Sequence, residues 1–365
     1  MGKKQAWVTY GADHRQMARD VLEAAGVAAR IPGKDARVAL KPNLVVAAPA
    51  SNGATTHPEL AAGAIEYLQA HGFRNIVIAE GAWVGERTGR AFDACGYTNL
   101  AKRYGVTLLD TQRDRSRSLA CAGMPLNVCD CTSAFDYLIN MPVLKGHCQT
   151  TLTCALKNLK GLIPDSEKRR FHTMGLMRPI AHLSAGIRQD FVLVDAICGD
   201  LDFEEGGNPV RRDQVLGFVD PVLCDAYACG MLGHSTADVP YIGIAEALGV
   251  GSADVSALHI TELRRPSAGL DPRPTRRVQA LARHIDAADA CSACYGGLIH
   301  ALHRLDEQGL LSRLPGKVCI GQGFKGKSAQ SLGVGACTAG FARAVPGCPP
   351  TAAHMLDALH QWIQG

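Results

Sequence analysis

The chain has 365 residues, 47% of them hydrophobic, and a formal net charge of +4, so it is long enough to bury a large apolar core in one large domain or two. No apolar run approaches the roughly twenty residues of a bilayer helix, and Met1-Gly2-Lys3-Lys4 leads directly into a strand-like Ala6-Trp7-Val8-Thr9-Tyr10 without an apolar signal region. A cytoplasmic protein without membrane contact is therefore expected, and basic residues spread along the chain with no stacked aromatic pattern argue against a nucleic-acid partner.

From Ala36 onward, short apolar runs alternate with longer amphipathic stretches, as in strands joined by crossover helices. Val38-Ala39-Leu40-Lys41 reads as a strand. Thr56-His57-Pro58-Glu59 opens a helix to about Gly72, with Thr56 as N-cap, Pro58 in the first turn and Glu59 beside the positive dipole end. Asn75-Ile76-Val77-Ile78-Ala79 is the next strand. A helical stretch at 90–104, interrupted at Gly96, precedes a strand at Val106-Thr107-Leu108-Leu109. Tyr137-Leu138-Ile139-Asn140 is a further strand, and Leu152, Leu156, Leu159 and Ile163 place a helix over 150–162. Phe191-Val192-Leu193-Val194-Asp195 is a buried strand ending in an acid. A Gly- and acid-rich loop at 199–208 and a helix at 220–232 follow. The predicted fold is α/β, a mostly parallel sheet with flanking helices, plus a C-terminal cysteine-bearing segment. The Pro- and Arg-rich stretch 264–277 divides an α/β body, residues 1–275, from a C-terminal region, residues 276–365. No internal repeat is visible.

Fourteen cysteines in a long chain without an export signal point to metal rather than disulfides. In Cys291-Ser292-Ala293-Cys294, two intervening residues let both thiolates turn to one centre. Gly335-Ala336-Cys337 and Gly347-Cys348-Pro349-Pro350 supply two more, the last before an amphipathic helix over 351–362 whose positive end favours a thiolate. The Gly-Cys-Pro-Pro turn resembles a cluster-ligating turn of hydrogenase small subunits and a related complex I subunit. The metal set is Cys291, Cys294, Cys337 and Cys348, holding a [4Fe-4S] cluster, with a four-cysteine zinc site as the alternative. Cys319 is a fifth thiol that could replace Cys337, although Val318-Cys319-Ile320 reads as a buried strand. Cys129 and Cys131, one residue apart in a strand, read as buried filler.

Positive charge concentrates at Lys145, His147, Lys157, Lys160, Lys168, Arg169 and Arg170, around a strand end and the following helix. In open α/β sheets ligands lie beyond the carboxyl ends of the strands, so an anionic ligand, carboxylate or phosphate, is expected there. Lys145, His147, Lys160 and His172 are the candidate catalytic residues, and Lys41, Asn43, His57, Glu80 and Lys157 the candidate substrate-binding ones. Lys168-Arg169-Arg170 reads as a solvated helix face.

At Lys41-Pro42-Asn43, Thr56-His57-Pro58, Ala79-Glu80-Gly81, Asn140-Met141-Pro142-Val143-Leu144-Lys145-Gly146-His147, Leu156-Lys157-Asn158-Leu159-Lys160-Gly161 and Asp220-Pro221-Val222-Leu223-Cys224-Asp225, the chain resembles the iron–sulfur-associated family catalogued as domain of unknown function 362. That family is often coupled to cluster-binding segments. A more distant similarity is to nickel-pincer lactate racemase, whose cofactor lysine lies in a segment similar to residues 157–164. That resemblance implies that Lys157 or Lys160 holds a ligand, His147 is an acid–base residue and His172 a metal ligand or second base. The expected function is a redox-active iron–sulfur enzyme acting on a small anionic substrate, with a redox partner protein. A non-catalytic electron carrier or cluster-bearing accessory protein is the second expectation, and a racemase-like metalloenzyme with a structural metal site the third.

Overall fold

Apolar and β-branched runs form strands close to where the sequence suggests, in a computed structural model that describes residues 4–266 and 275–365. In chain order these are β1 (Gln5–Tyr10), β2 (Val38–Pro42), β3 (Ile76–Glu80), β4 (Thr107–Asp110), the hairpin β5 (Ser116–Cys121) and β6 (Met124–Cys129), and β7 (Tyr137–Met141). The short hairpin β8 (Lys145–His147) and β9 (Thr151–Thr153) follows, then β10 (Phe191–Asp200), β11 (Pro209–Phe218) and β12 (His259–Glu262). The last four are β13 (Ile285–Ala287), β14 (Val318–Ile320), β15 (Leu332–Val334) and β16 (Arg343–Val345).

Eight strands form one sheet in the order β12-β1-β11-β10-β7-β2-β3-β4. Neighbours run parallel except at β1/β11 and β10/β11. A strand side chain alternates between faces, and here both faces are buried. Val38, Leu40, Ile76 and Ile78 join one apolar cluster with the helices His14–Ala24 and Pro58–Ala70. Ala39, Val77, Ala79 and Leu138 join another with Met177–Gly186, Pro221–Met231 and Pro240–Ala247. Each Leu or Ile so buried stabilises the fold by roughly 1.5–3 kcal/mol.

The C-terminal residues build a smaller all-parallel sheet, β13-β14-β15-β16. A third apolar cluster runs from Val278 to Trp362 and takes in Leu201 and Val210 of the body. Ser292 Oγ donates to Asp213 Oδ2 at 2.7 Å, and Asp202 is gripped by His303, by Arg277 at 3.2 Å and by Arg304 at 3.6 Å. Apolar and charged contacts thus seat this unit on the β10–β11 hairpin. The linker stretch lies, from 267 to 274, outside the described residues.

Several local expectations give way to tertiary contacts. His57 rather than Thr56 holds the N-cap position of the helix at 58–70, with no side-chain cap, and the Thr56 hydroxyl is engaged between Asn43 N and Met141 O, both at 2.8 Å. The helix expected over 150–162 is instead strand β9, a four-residue helix Ala155–Asn158 and a 3-10 turn Leu159–Leu162. Its apolar period survives because Leu152, Leu156, Leu159 and Ile163 are all fully buried in one cluster, while Asp225 takes the Ala155 and Leu156 amides at 2.7 and 3.2 Å. Strand β10 continues past Asp195 to Asp200. Cys129 ends β6, whereas Cys131 lies in the 3-10 turn Asp130–Ala134, so the two do not share a strand face.

Mid-strand Asp195 is fully buried and accepts from His57 N at 2.7 Å and binds His57 Nδ1 at 2.8 Å. Burial lowers the His57 pKa, but Asp195 outweighs it and the net shift is upward; Asp195 itself is held below its usual value against its burial by His57. A raised histidine contributes stability that is complete below its unfolded value of 6.5 and lost as pH rises through the folded pKa. A depressed carboxyl contributes stability present above 3.8 and lost as pH falls through its folded pKa. The pair should stabilise most between those two values. Melting temperatures of the native chain should therefore drop from pH 6 to pH 9 by more than those of His57→Gln, and parallel profiles would refute the assignment.

Candidate functional site

Strands β2, β3 and β7 end side by side, and their last residues carry the polar groups that the sequence singles out. Beyond these ends lies a cavity of about 580 Å³. Of the expected residues, Asn43, Glu80, His147, Lys157, Lys160 and His172 line it. Lys41, Lys145 and His57 do not. Lys41 is fully buried behind the wall, where its Nζ meets Glu80 Oε2 and Pro42 O at 2.7 Å each. Lys145, also fully buried, donates to Ala54 O at 2.7 Å and Glu204 O at 2.6 Å. His57 is turned toward Asp195 and packs edge-on against His14, ring centres 5.0 Å apart.

An asparagine relay joins the elements beneath the cavity. Asn158 Nδ2 donates to Asn140 Oδ1 at 2.7 Å, and Asn158 Oδ1 accepts from Asn43 Nδ2 at 2.8 Å. Glu80 accepts from Leu44 N at 3.0 Å and Gly81 N at 2.7 Å as well as from Lys41. Gly161 lies directly over this pair. A Cβ there would sit 1.8 Å from Glu80 Oε1 and 2.7 Å from Lys41 Nζ, so only glycine lets the Leu159–Leu162 turn approach so closely.

The loop between β10 and β11 closes one side of the cavity. Glu204 pairs with Lys157 Nζ and lies 3.0 Å from His147 Nε2. Burial alone would raise this carboxyl, but Lys157, His147 and Lys145 outweigh it and hold it well below the usual range. Burial and the Lys157 charge push His147 down to about 4, against the opposing pull of Glu204. Burial also lowers Lys145 to about 7, with Glu204 opposing. Lys160 is lowered to about 8 by burial and by Lys157. Among the described residues, no hydrogen bond or ion pair reaches Lys160 Nζ, although it faces the cavity.

Four of the lining residues that sequence reasoning passed over shape the cavity's charge and its apolar side. Lys168, read as part of a solvated face, is buried and donates to Ala82 O at 2.7 Å and Asp165 Oδ1 at 3.0 Å. Its segment's surrounding Arg169 and Arg170 made it resemble surface charge. Glu204 is one of two adjacent acids in a loop, with nothing local to mark it. Trp83 and Phe203 also line the cavity, and an aromatic in a loop was the one signal available for them.

The C-terminal thiols occupy the matching edge of the small sheet. Cys291 follows β13, Cys337 follows β15 and Cys348 follows β16, each just past the carboxyl end of its strand. Gly335 and Gly347 make these turns with φ of 91° and 126°, a region that side chains with a Cβ avoid, and Ala336 N donates to Gly347 O at 2.8 Å. Cys294 lies in the first turn of the helix Ser292–Glu307, and a Cβ on Gly335 would stand 3.6 Å from its sulfur. Burial pushes the Cys294 thiol up to about 12, and Cys348, Cys291 and Cys337 act in the same sense. Burial, then Cys337 and Cys291, likewise raise Cys348. The Cys294 and Cys348 thiols therefore both lie near Cys291 and Cys337. Cys319 does not belong with them, since it sits within β14 and its thiol responds, after burial, to Asp286 and Ser331.

Such a set of sulfur donors fits a thiophilic centre. A tetrahedral zinc site, with Zn–S near 2.3 Å, needs sulfurs about 3.8 Å apart. Among the described residues, the groups of three or more potential ligand atoms within 4.8 Å of one another are Cys154–Cys224–Asp225 and Asp202–His303–Glu307, and neither contains these thiols.

Residues 38–230, more than half of the chain, match the family described as a domain of unknown function, DUF362. A thylakoid-associated protein of Synechocystis sp. is 25% identical over 245 residues, 64% of this chain and 74% of that protein. Among solved structures, the lactate racemase apoprotein of Thermoanaerobacterium thermosaccharolyticum is 13% identical with a TM-score of 0.39, covering 62% of this chain and 56% of the racemase. A structural-genomics protein of Thermotoga maritima is 12% identical with a TM-score of 0.35, over 70% of this chain and 63% of its own. The chain thus spans less than two thirds of either solved relative. No helix among the described residues is long and apolar enough to cross a membrane.

Proposed function

The chain belongs to the DUF362 family, and we propose that it is an iron–sulfur protein whose body binds a small anion and acts on it as a redox enzyme. The observation that carries this reading is the gathering of Cys291, Cys294, Cys337 and Cys348 at one edge of the β13–β16 sheet. These four residues would hold a [4Fe-4S] cluster, which supplies one-electron chemistry when bound. Four sulfur ligands saturate such a cluster, which favours electron transfer over Lewis-acid work at an open iron.

The anion role falls to the crevice residues. Lys160 offers a cation with no hydrogen-bond or ion-pair partner among the described residues, and burial around it strengthens its attraction for an anion by excluding water. His147, neutral above pH of about 4, has its Nδ1 taken by the Gln149 and Thr150 amides at 3.0 and 3.2 Å, which leaves Nε2–H to donate to Glu204 at 3.0 Å and hold that carboxylate at the cavity wall. Asn43 and Asn158 present amides fixed by the relay, which orient a bound polar group. The loop 199–208 touches both units, since Glu204 lines the crevice while Asp202 is bound by His303 and Arg277 of the C-terminal unit. A carrier needs little beyond a cluster shell, so a separate cavity of about 580 Å³ favours the enzyme over a pure carrier.

Oxygen-free purification followed by iron and sulfide analysis and electron paramagnetic resonance tests the reading. The expected result is a brown protein with iron and acid-labile sulfide in equal amounts and a signal on reduction. Colourless protein carrying zinc would overturn it.

A further inference from the structure

The charges of the crevice leave its mouth unexplained. Trp83 and Phe203 are each 44% exposed, among the most exposed large apolar side chains of the described residues, and both line this one cavity. They arrive from different elements. Trp83 follows β3 in a turn held by Trp83 N on Val45 O at 3.1 Å and Glu86 N on Trp83 O at 2.9 Å. Phe203 lies in the loop after β10, its amide donating to Asp200 Oδ1 at 2.7 Å. The indole lies over Gly85, where a Cβ would come within 2.3 Å of the ring. Val45 and Val84 extend the apolar side of the wall. Backbone contacts therefore hold two aromatic surfaces toward water at the entrance of a cavity sized for a ligand larger than a simple carboxylate.

The cations fix the head group. Lys41 is matched by Glu80, Lys157 by Glu204 and Lys168 by Asp165. Of the lysines that line the cavity Lys160 remains, since Lys145, which has no carboxylate partner either, lies behind the wall, and among the described residues no arginine lines the cavity. One unmatched ammonium and no guanidinium fork suit a monoanion better than a phosphate dianion.

We propose that the crevice receives a carboxylate borne on a planar aromatic body, the carboxylate at Lys160 and the ring against Trp83 and Phe203. This rests on the reading of the crevice as an anion site and is independent of the cluster. Calorimetric titration of the full chain, purified without oxygen, compares four probes: 1-naphthoate, acetate, 1-naphthylmethanol and 1-naphthyl phosphate. Naphthoate should bind at least about ten-fold more tightly than acetate, the alcohol and the phosphate, as one buried aromatic contact warrants. Trp83→Ala, and Gly85→Ala by displacing the indole, should each weaken naphthoate about ten-fold more than acetate, with circular dichroism unchanged. Lys160→Ala should weaken naphthoate while sparing the alcohol. Equal binding of acetate and naphthoate, or no loss in Trp83→Ala, overturns the aromatic ligand and leaves the anion site standing. A tighter naphthyl phosphate overturns the carboxylate. Alcohol binding equal to naphthoate, or no binding of any probe, overturns the anion site itself.

Discussion

Cys348→Ser, purified without oxygen, is expected to emerge without the visible charge-transfer band and with its iron and sulfide lost, while Cys319→Ser keeps both. Cys348 is exposed and follows β16 directly, so replacing its sulfur by oxygen removes a soft donor at little cost in packing. The helix Ala352–Gln364 that follows is capped by Thr351 through His354 N at 3.3 Å and packs through Met355, Leu359 and Trp362, so it should remain folded. Far-UV circular dichroism checks this. Cys319 is the informative control because it lies nearby in sequence yet within a strand, paired to β13 and β15. Full iron in Cys348→Ser together with loss in Cys319→Ser would mean that the wrong thiols have been assigned.

Glu80→Gln is expected to lower the unfolding free energy by about 3–5 kcal/mol, the usual cost of removing one partner of a buried ion pair. Glu80 is 3% exposed and Lys41 is fully buried. Without the carboxylate, Lys41 Nζ keeps Pro42 O at 2.7 Å and a long contact of 3.5 Å to Asn158 Oδ1, neither of which carries a charge. Burial already lowers the Lys41 pKa against the pull of Glu80, so loss of that partner drives it further down. Against a total stability of roughly 5–15 kcal/mol this is a large fraction. The double variant Lys41→Met/Glu80→Gln should recover most of the loss, because it removes the stranded charge. Urea unfolding of both variants reads the effect. A single-variant cost under about 1 kcal/mol would show that the pair is not a support of the crevice.

Both results bear on how the crevice is built. The crevice stands on a buried polar layer, Lys41, Glu80, Asn140 and Asn158, whose members satisfy one another across β2, β3, β7 and the helix Ala155–Asn158. Rigid support of this kind is what lets an unpartnered Lys160 persist in place.

The sequence by itself determined the α/β class, most strands of the main sheet to within a residue or two, the helix at 221–231 and the turns bearing Cys337 and Cys348. Each of these is written in a local pattern: a run of apolar residues, a capping side chain, a glycine beside a cysteine. It also indicated which strand ends carry polar side chains. What it could not decide is which of those side chains meet. Lys157 and Glu204 are 47 residues apart, and Lys41 and Asn158 are 117 apart, so no local rule joins them. Apolar spacing at 152–163 reported burial correctly but not helix, because a strand and a short turn can bury the same leucines once Asp225 takes the freed amides. Only the tertiary structure turned His57 to Asp195, sank Lys145 behind the wall, drew Lys168 in from the surface and brought Trp83 and Phe203 to one cavity, since burial and partner choice depend on the whole packed chain.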